Sequence, residues 1–347
     1  MKYSTVRWAL ALSFGLVMIF MLLILTRETD VLSVIDRTDP KLLLGGAALE
    51  VFGLFLYALS WHVLLRSSGM RVRLTKSIQI TWASLFLLYV TPAGVLMDVS
   101  RAILMGKEGK DTPASTASVI MQRVIYAFAY ALLTTSSIFM IYFSDRARFH
   151  LIYPFMIFVT LTVAAGFLIL IAASHRGLVR WLSRHLLSFY YRVIKKAVFP
   201  EEDVTRSVES SVQGFSAAIS DMARSPKGAI LSLAIILARL SVAAGISYGV
   251  FISLNYYGIN FWEITLVMLV GEFVTSVPIG IPGMLGFVEA AMTLSYAALG
   301  VPLAVALAAT LLIRLILYWW DVVVTGITAT VYSGGIRSVL SASEQGS

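Results

Sequence analysis

Nine ionisable side chains fall inside stretches that are otherwise apolar: Glu50, Asp98, Arg101, Arg123, Arg239, Glu272, Glu289, Arg314 and Asp321. At the centre of a membrane-spanning helix each costs about 2.5–3.5 kcal/mol, so such groups either pair to hold helices together or form a path for a charged substrate. Two of the carboxylates follow breaks in the apolar pattern. Asp98 comes after Pro92-Ala93-Gly94, and Glu289 comes after Pro278, Gly280, Pro282, Gly283 and Gly286. Each also precedes an arginine by the same 25 residues, Asp98 before Arg123 and Glu289 before Arg314.

Position separates the two readings. Asp98, Glu289 and Arg314 lie close to a break or deep in a span, which favours function. Glu50 and Asp321 carry no such signal and are expected to pair between helices, while Arg101, Arg123 and Asp321 have the alternative of reaching an interface along their own side chains. Arg101 lies three residues after Asp98, on the same helical face. A helix restarting after each break points its positive dipole end and free N–H groups at the break, a geometry that suits a phosphate. Counting Arg101, Arg123, Arg239 and Arg314 against Asp98, Glu272 and Glu289 leaves one positive charge, enough for a single phosphodiester. The competing explanation for the glycines is close helix packing. No HExxH, GxSxG or GxxxxGK[ST] pattern accompanies these residues, cysteine is absent and the four histidines are scattered, so neither metal ligands nor a cofactor is expected.

The elements that must position these groups are membrane helices. With 59% apolar and 13% charged residues and a mean hydropathy of +0.85, the 347-residue chain is a polytopic membrane protein. Apolar spans are expected at 8–26, 42–65, 113–143, 151–173, 229–254 and 302–332. The segments 78–90 with 95–105, and 264–277 with 286–298, are each too short to cross alone and read as two re-entrant hairpins with tips at Pro92, Gly94, Pro278, Gly280, Pro282, Gly283 and Gly286. Residues 27–41 form a mixed loop, whereas Arg66, Arg71, Arg73 and Lys76 form a basic one. That asymmetry places the N-terminus, the basic loop and the C-terminus in the cytoplasm. The region 174–228 holds nine basic residues against five acidic ones, with Arg176, Arg180, Arg184 and Arg192 on one face of an amphipathic helix. The net charge of +8 therefore speaks to orientation and anionic lipid, and no nucleic-acid motif accompanies it.

The resulting fold class is an all-α polytopic membrane protein, an inverted repeat of three transmembrane helices plus one re-entrant hairpin per half. The halves are 1–148 and 149–335, the second carrying the insertion 174–228, with a cytoplasmic tail at 336–347. Inverted repeats with broken helices near the midplane are typical of transporters.

The segments PAGVLMDVSRAIL (92–104), QRVIYAF (122–128), PIGIPGMLGFVEA (278–290) and LLIRLILYW (311–319) resemble the flippase-like transmembrane region of lysylphosphatidylglycerol synthases and their stand-alone relatives. The resemblance covers most of the chain and implies a cell-membrane translocator of anionic or polyprenyl-phosphate-linked lipids. It matches the charged positions Asp98, Arg101, Arg123, Glu289 and Arg314, to which Arg239 and Glu272 are added as substrate-binding candidates from their place in the spans. The first break is poorer in glycine than in relatives, and neither an aminoacyl-transferase domain nor lipid aminoacylation is expected. The alternative reading is a membrane enzyme acting on a polyprenyl-phosphate or glycolipid headgroup. The partners expected are membrane lipids, with self-association left open.

Overall fold

A computed structural model describes residues 24, 28–90, 95–108, 112–143, 226–276 and 281–345. The expected span 8–26 apart from residue 24, the span 151–173 and nearly all of the insertion lie outside them, as do the tip residues Pro92, Gly94, Pro278 and Gly280. The described residues are helical without strands. Their helices are α1 (Glu28–Ile35), α2 (Pro40–Ser67), α3 (Leu74–Val90), α4 (Val95–Lys107), α5 (Thr112–Tyr142), α6 (Pro226–Ser253), α7 (Phe261–Ser276), α8 (Phe287–Ala298), α9 (Leu303–Arg314) and α10 (Trp320–Gln345). A single π turn, Leu315–Trp319, joins α9 to α10 without a loop.

Four described segments are long and apolar enough to cross a membrane: Pro40–Ser67, Ala114–Tyr142, Pro226–Ser253 and Leu303–Tyr332. This is a multi-pass membrane protein. Leu44, Phe52, Phe139, Ile230 and Val331 stand exposed on these segments, as side chains that meet lipid would. Between the long helices lie the short ones. At 17 and 13 residues, α3 and α4 reach only about 25 and 20 Å, against a hydrocarbon core of about 30 Å. They return to the same end of the bundle, where Lys76 in α3 bridges Glu108 just past α4 at 3.0 Å and Tyr332 of α10 donates to the same carboxylate. In the second pair, Gly271 of α7 lets α8 approach so closely that a Cβ would meet the Met292 sulfur at 2.7 Å.

Helix starts follow from local chemistry. Pro40 begins α2 behind Asp39, whose carboxylate accepts from the Lys41 N–H at 2.9 Å. At α7 the Asn260 side chain accepts from the Glu263 N–H while Glu263 accepts from the Asn260 N–H, both at 2.9 Å. The order of lengths repeats along the chain: 28, 17 and 13 residues in α2 to α4, then 28, 16 and 12 in α6 to α8. In both halves a long helix follows.

Packing among the described residues gathers into two large apolar cores, with a smaller third one of Tyr130, Ala243, Ala244, Met268 and Leu269 between α5, α6 and α7. One large core gathers Trp61, Leu64, Leu65, Ile80, Met97 and Met105 from the first half, with Ile236 and Leu240 of α6. The other gathers Phe251, Ile264, Val288, Tyr296, Leu307 and Ile313. Helix α6 belongs to both and lies along α2. Two segments differ from expectation. The mixed loop 27–41 contains α1, whose Val31 is buried in the second core, because an amphipathic turn can cover the ends of longer helices. The tail expected from 336 continues as helix to Gln345, through Gly334 and Gly335, with no proline after Tyr332 to end it.

Candidate functional site

Irregular backbone marks the second break. Gly283 has φ +56°, Met284 φ +49° and Gly286 φ +84°, three left-handed residues within four positions. This turn is buried in protein, the condition under which non-helical backbone is tolerated at membrane depth. Gly283 has no room for a side chain, because a Cβ there would collide with the Tyr318 ring. The C-terminal part of α3, which leads to the first break, packs nearby: the Tyr318 hydroxyl donates to the Tyr89 carbonyl at 3.0 Å and their rings meet edge to face.

One ion pair lies beside each break. Arg123 Nε donates to Asp98 Oδ2 at 2.7 Å, and Arg314 Nε donates to Glu289 Oε1 at 2.7 Å. The equal spacing in sequence is thus an equal contact in space. The surroundings differ. Arg123 and Asp98 expose 44% and 26% of their side chains, whereas Arg314 and Glu289 expose 9% and 2%. Arg314 also donates from Nη2 to the Gly283 carbonyl at 2.8 Å and lies 4.1 Å from the centre of the Tyr318 ring. Glu289 Oε2 accepts from the Gly286 N–H at 2.6 Å. The N-terminus of α8, expected to be open to a phosphate, is therefore already capped by the protein's own carboxylate.

A third ion pair joins the halves across α2 and α6. Both nitrogens of the Arg239 fork reach Glu50, Nη2 to Oε1 at 2.6 Å and Nη1 to Oε2 at 3.2 Å. Gly53, one turn along α2, makes room: a Cβ there would stand 3.0 Å from Arg239 Nη1. Asp321 lies against Glu50 and accepts from the Tyr89 hydroxyl at 2.8 Å.

Among these groups lies a cavity of about 300 Å³ whose wall includes Arg123, Arg239, Arg314 and Glu272, with Tyr57, Tyr89, Tyr126, Tyr130 and Tyr318. Of the expected substrate-binding residues, these four charged ones face the space. Asp98 and Glu289 stand behind two of the arginines and hold them. Arg101 does not line it: the side chain is fully buried, donates to Gln122 and to the Tyr57 hydroxyl, and lies over the Tyr57 and Trp61 rings. Neither Arg101 nor Asp321 extends to an interface, since both are 0% exposed. The charge count also changes. Glu50 and Asp321 join the cluster, so four arginines face five carboxyl groups and the surplus positive charge is gone. The tyrosines escaped sequence reading, although Arg123, Tyr126 and Tyr130, like Arg314, Tyr318 and Asp321, fall at helical spacing on one face. Among the described residues no group of three or more histidine or acidic side chains is arranged to hold a metal.

Residues 8–325 match the model of the lysylphosphatidylglycerol synthase transmembrane region. The chain belongs to this family. It is also 23% identical over 335 residues to a "UPF0104 membrane protein" of Methanothermobacter thermautotrophicus, covering 94% of this chain and 95% of that protein. A second "UPF0104 membrane protein", from Archaeoglobus fulgidus, is 24% identical over 270 residues, 76% of this chain and 78% of that one. The family is defined by a membrane region, and neither relative's description indicates a catalytic activity.

Proposed function

We propose that this protein moves an anionic phospholipid or polyprenyl-phosphate-linked lipid between membrane leaflets. The observation that carries the reading is the polar cavity, to which each half contributes an arginine held by a carboxylate 25 residues earlier. On this reading the halves are an inverted repeat, α3–α4 and α7–α8 are re-entrant hairpins, and the headgroup passes between their tips. Arg123, Arg239 and Arg314 receive the phosphate, whose planar charge-assisted contacts suit guanidinium groups. Asp98 and Glu289 act as resident anions. A phosphate reaching Arg314 takes the place of Glu289, and the Glu289 carboxylate returns when the lipid leaves. The chain acts in the cell membrane with both termini in the cytoplasm.

The test is reconstitution into phosphatidylcholine vesicles carrying fluorescent phosphatidylglycerol or a fluorescent polyprenyl phosphate. The label should become accessible to an outside quencher faster than in protein-free vesicles, and Glu289→Gln should abolish the gain. Equal rates with and without folded protein, for both lipids and with a proton gradient imposed, would overturn the transport reading. Chemical conversion of the headgroup by purified protein would favour a membrane enzyme instead.

A further inference from the structure

The Glu50 and Asp321 carboxyl groups lie within hydrogen-bonding reach of each other, and both residues are 0% exposed. Glu50 spends both oxygens on the Arg239 fork. Asp321 Oδ2 takes the Tyr89 hydroxyl, but Asp321 Oδ1, equally buried, accepts from no donor among the described residues. Two ionised carboxylates are acceptors only and have nothing to share. A proton between them supplies the missing donor, and it also balances two acids against the single cation Arg239. The other titratable groups facing the cluster do not remove the need. Glu272 of α7 adds negative charge, and Tyr126 of α5 is committed to Glu272 at 3.2 Å.

The pair is also wired to the second break. Tyr89, which donates to Asp321, accepts at its carbonyl from the Tyr318 hydroxyl, and the Tyr318 ring stacks on Arg314. The π turn carrying Tyr318 sits directly between Arg314 and Asp321, and such turns are frequent where a helix serves a site. Tyr318 thus touches Arg314 with its ring and, through Tyr89, is joined to Asp321.

We propose that Glu50 and Asp321 form a proton-binding site that couples lipid movement to the transmembrane proton gradient, one proton travelling with one singly charged headgroup. This rests on the transport reading above. The step is a proton transfer alone: the proton arrives from water at Asp321 Oδ1, is shared with Glu50, and leaves to water on the other face, with no redox change. An anion and a proton moving together carry no net charge, so the membrane potential does not oppose them.

Infrared difference spectroscopy on the protein in phosphatidylcholine membranes reads the proton directly. The wild type should show a protonated-carboxyl band near neutral pH that shifts in heavy water and is lost in Glu50→Gln/Asp321→Asn. Tyr89→Phe keeps both carboxyls and should move the band's titration midpoint. Absence of the band in the wild type, or its persistence in the double variant, overturns the site. In vesicles carrying fluorescent phosphatidylglycerol, a gradient of one pH unit should bias the leaflet ratio by up to about tenfold. Asp321→Asn should abolish that bias, and Tyr318→Phe should weaken it. If lipid moves but the ratio ignores the gradient, or follows a sodium gradient instead, proton coupling is overturned while transport stands. If no lipid moves but the band behaves as expected, the proton site stands and the lipid reading falls.

Discussion

Arg123→Ala and Arg314→Ala each remove the arginine of a carboxylate contact of the same 2.7 Å length, yet they should differ sharply in cost. Arg314 is buried with Glu289 and its loss also takes the donor from the Gly283 carbonyl, leaving a carboxylate whose one remaining partner here is the Gly286 N–H. Breaking such a pair costs about 3–5 kcal/mol. Arg123 faces the cavity with Asp98 behind it, and both are partly exposed, a position where an ion pair contributes about 0–1 kcal/mol. Denaturation midpoints in mild detergent, followed by tryptophan fluorescence, should therefore fall strongly for Arg314→Ala and little for Arg123→Ala. Arg314→Lys should lie between, because one ammonium cannot reproduce both guanidinium contacts. The exchange Glu289→Arg/Arg314→Glu should not restore stability, since Gly286 needs an acceptor at 289 and Gly283 needs a donor at 314. Equal losses at the two arginines, or recovery in the exchange variant, would refute the burial argument. Lipid movement should be lost in both single variants, which separates the transport role from the structural one.

Other expectations concern the breaks and the orientation. Gly283→Ala should destabilise by about 1–3 kcal/mol, because it adds a side chain at φ +56° against the Tyr318 ring, and Tyr318→Ala should relieve part of that loss in the double variant, as read by the same denaturation midpoint. Gly53→Leu should displace the Arg239 fork from Glu50 and lower both stability and lipid movement, whereas Gly45→Leu, on the same helix with open space around it, should be nearly neutral. Since the chain has no cysteine, Arg71→Cys and Tyr257→Cys can be labelled singly with an impermeant thiol reagent. The inverted repeat requires them to react from opposite sides, Arg71→Cys from the cytoplasm, and reaction from the same side would refute it.

Much of the scaffold was legible because the bilayer leaves few choices. The long apolar runs gave the spans at 40–67, 112–142 and 226–253 within a few residues, and the shortness of the runs beside Pro-Gly clusters gave α3, α4, α7 and α8. Equal spacing marked the segments carrying Asp98 and Arg123, and Glu289 and Arg314, as alike, but the neighbour expected for Asp98 was Arg101, whereas Arg123 makes the contact. What escaped was anything fixed by which helices meet. Glu50 and Arg239 lie 189 residues apart, and Tyr89 and Asp321 lie 232 apart, so no local pattern marks either contact. The capping of α8 by Glu289 was open to local reading, since Gly286 and Glu289 stand at capping-box spacing, but a glycine at the cap hid the signature normally carried by serine or threonine.

The pairing of the core arginines with carboxylates bears on how a lipid could use them. An empty ring of arginines would bind a phosphate tightly and release it slowly, which is a poor property in a carrier. Here every cavity arginine already holds a carboxylate, so an incoming headgroup gains one charged contact by giving up another, and only the difference appears as affinity. The exchange leaves a carboxylate without its partner, and the Arg123 and Arg314 sites differ in what that costs. Asp98 is partly exposed, although its Oδ1 is buried without a partner, whereas Glu289 is buried and keeps only the Gly286 N–H. On the proposed reading the Arg123 site therefore takes a headgroup readily. The Arg314 site does so only when the surrounding turn yields, and a small protein-bound bias such as a proton at Asp321 is then enough to decide on which side of the cavity the headgroup rests.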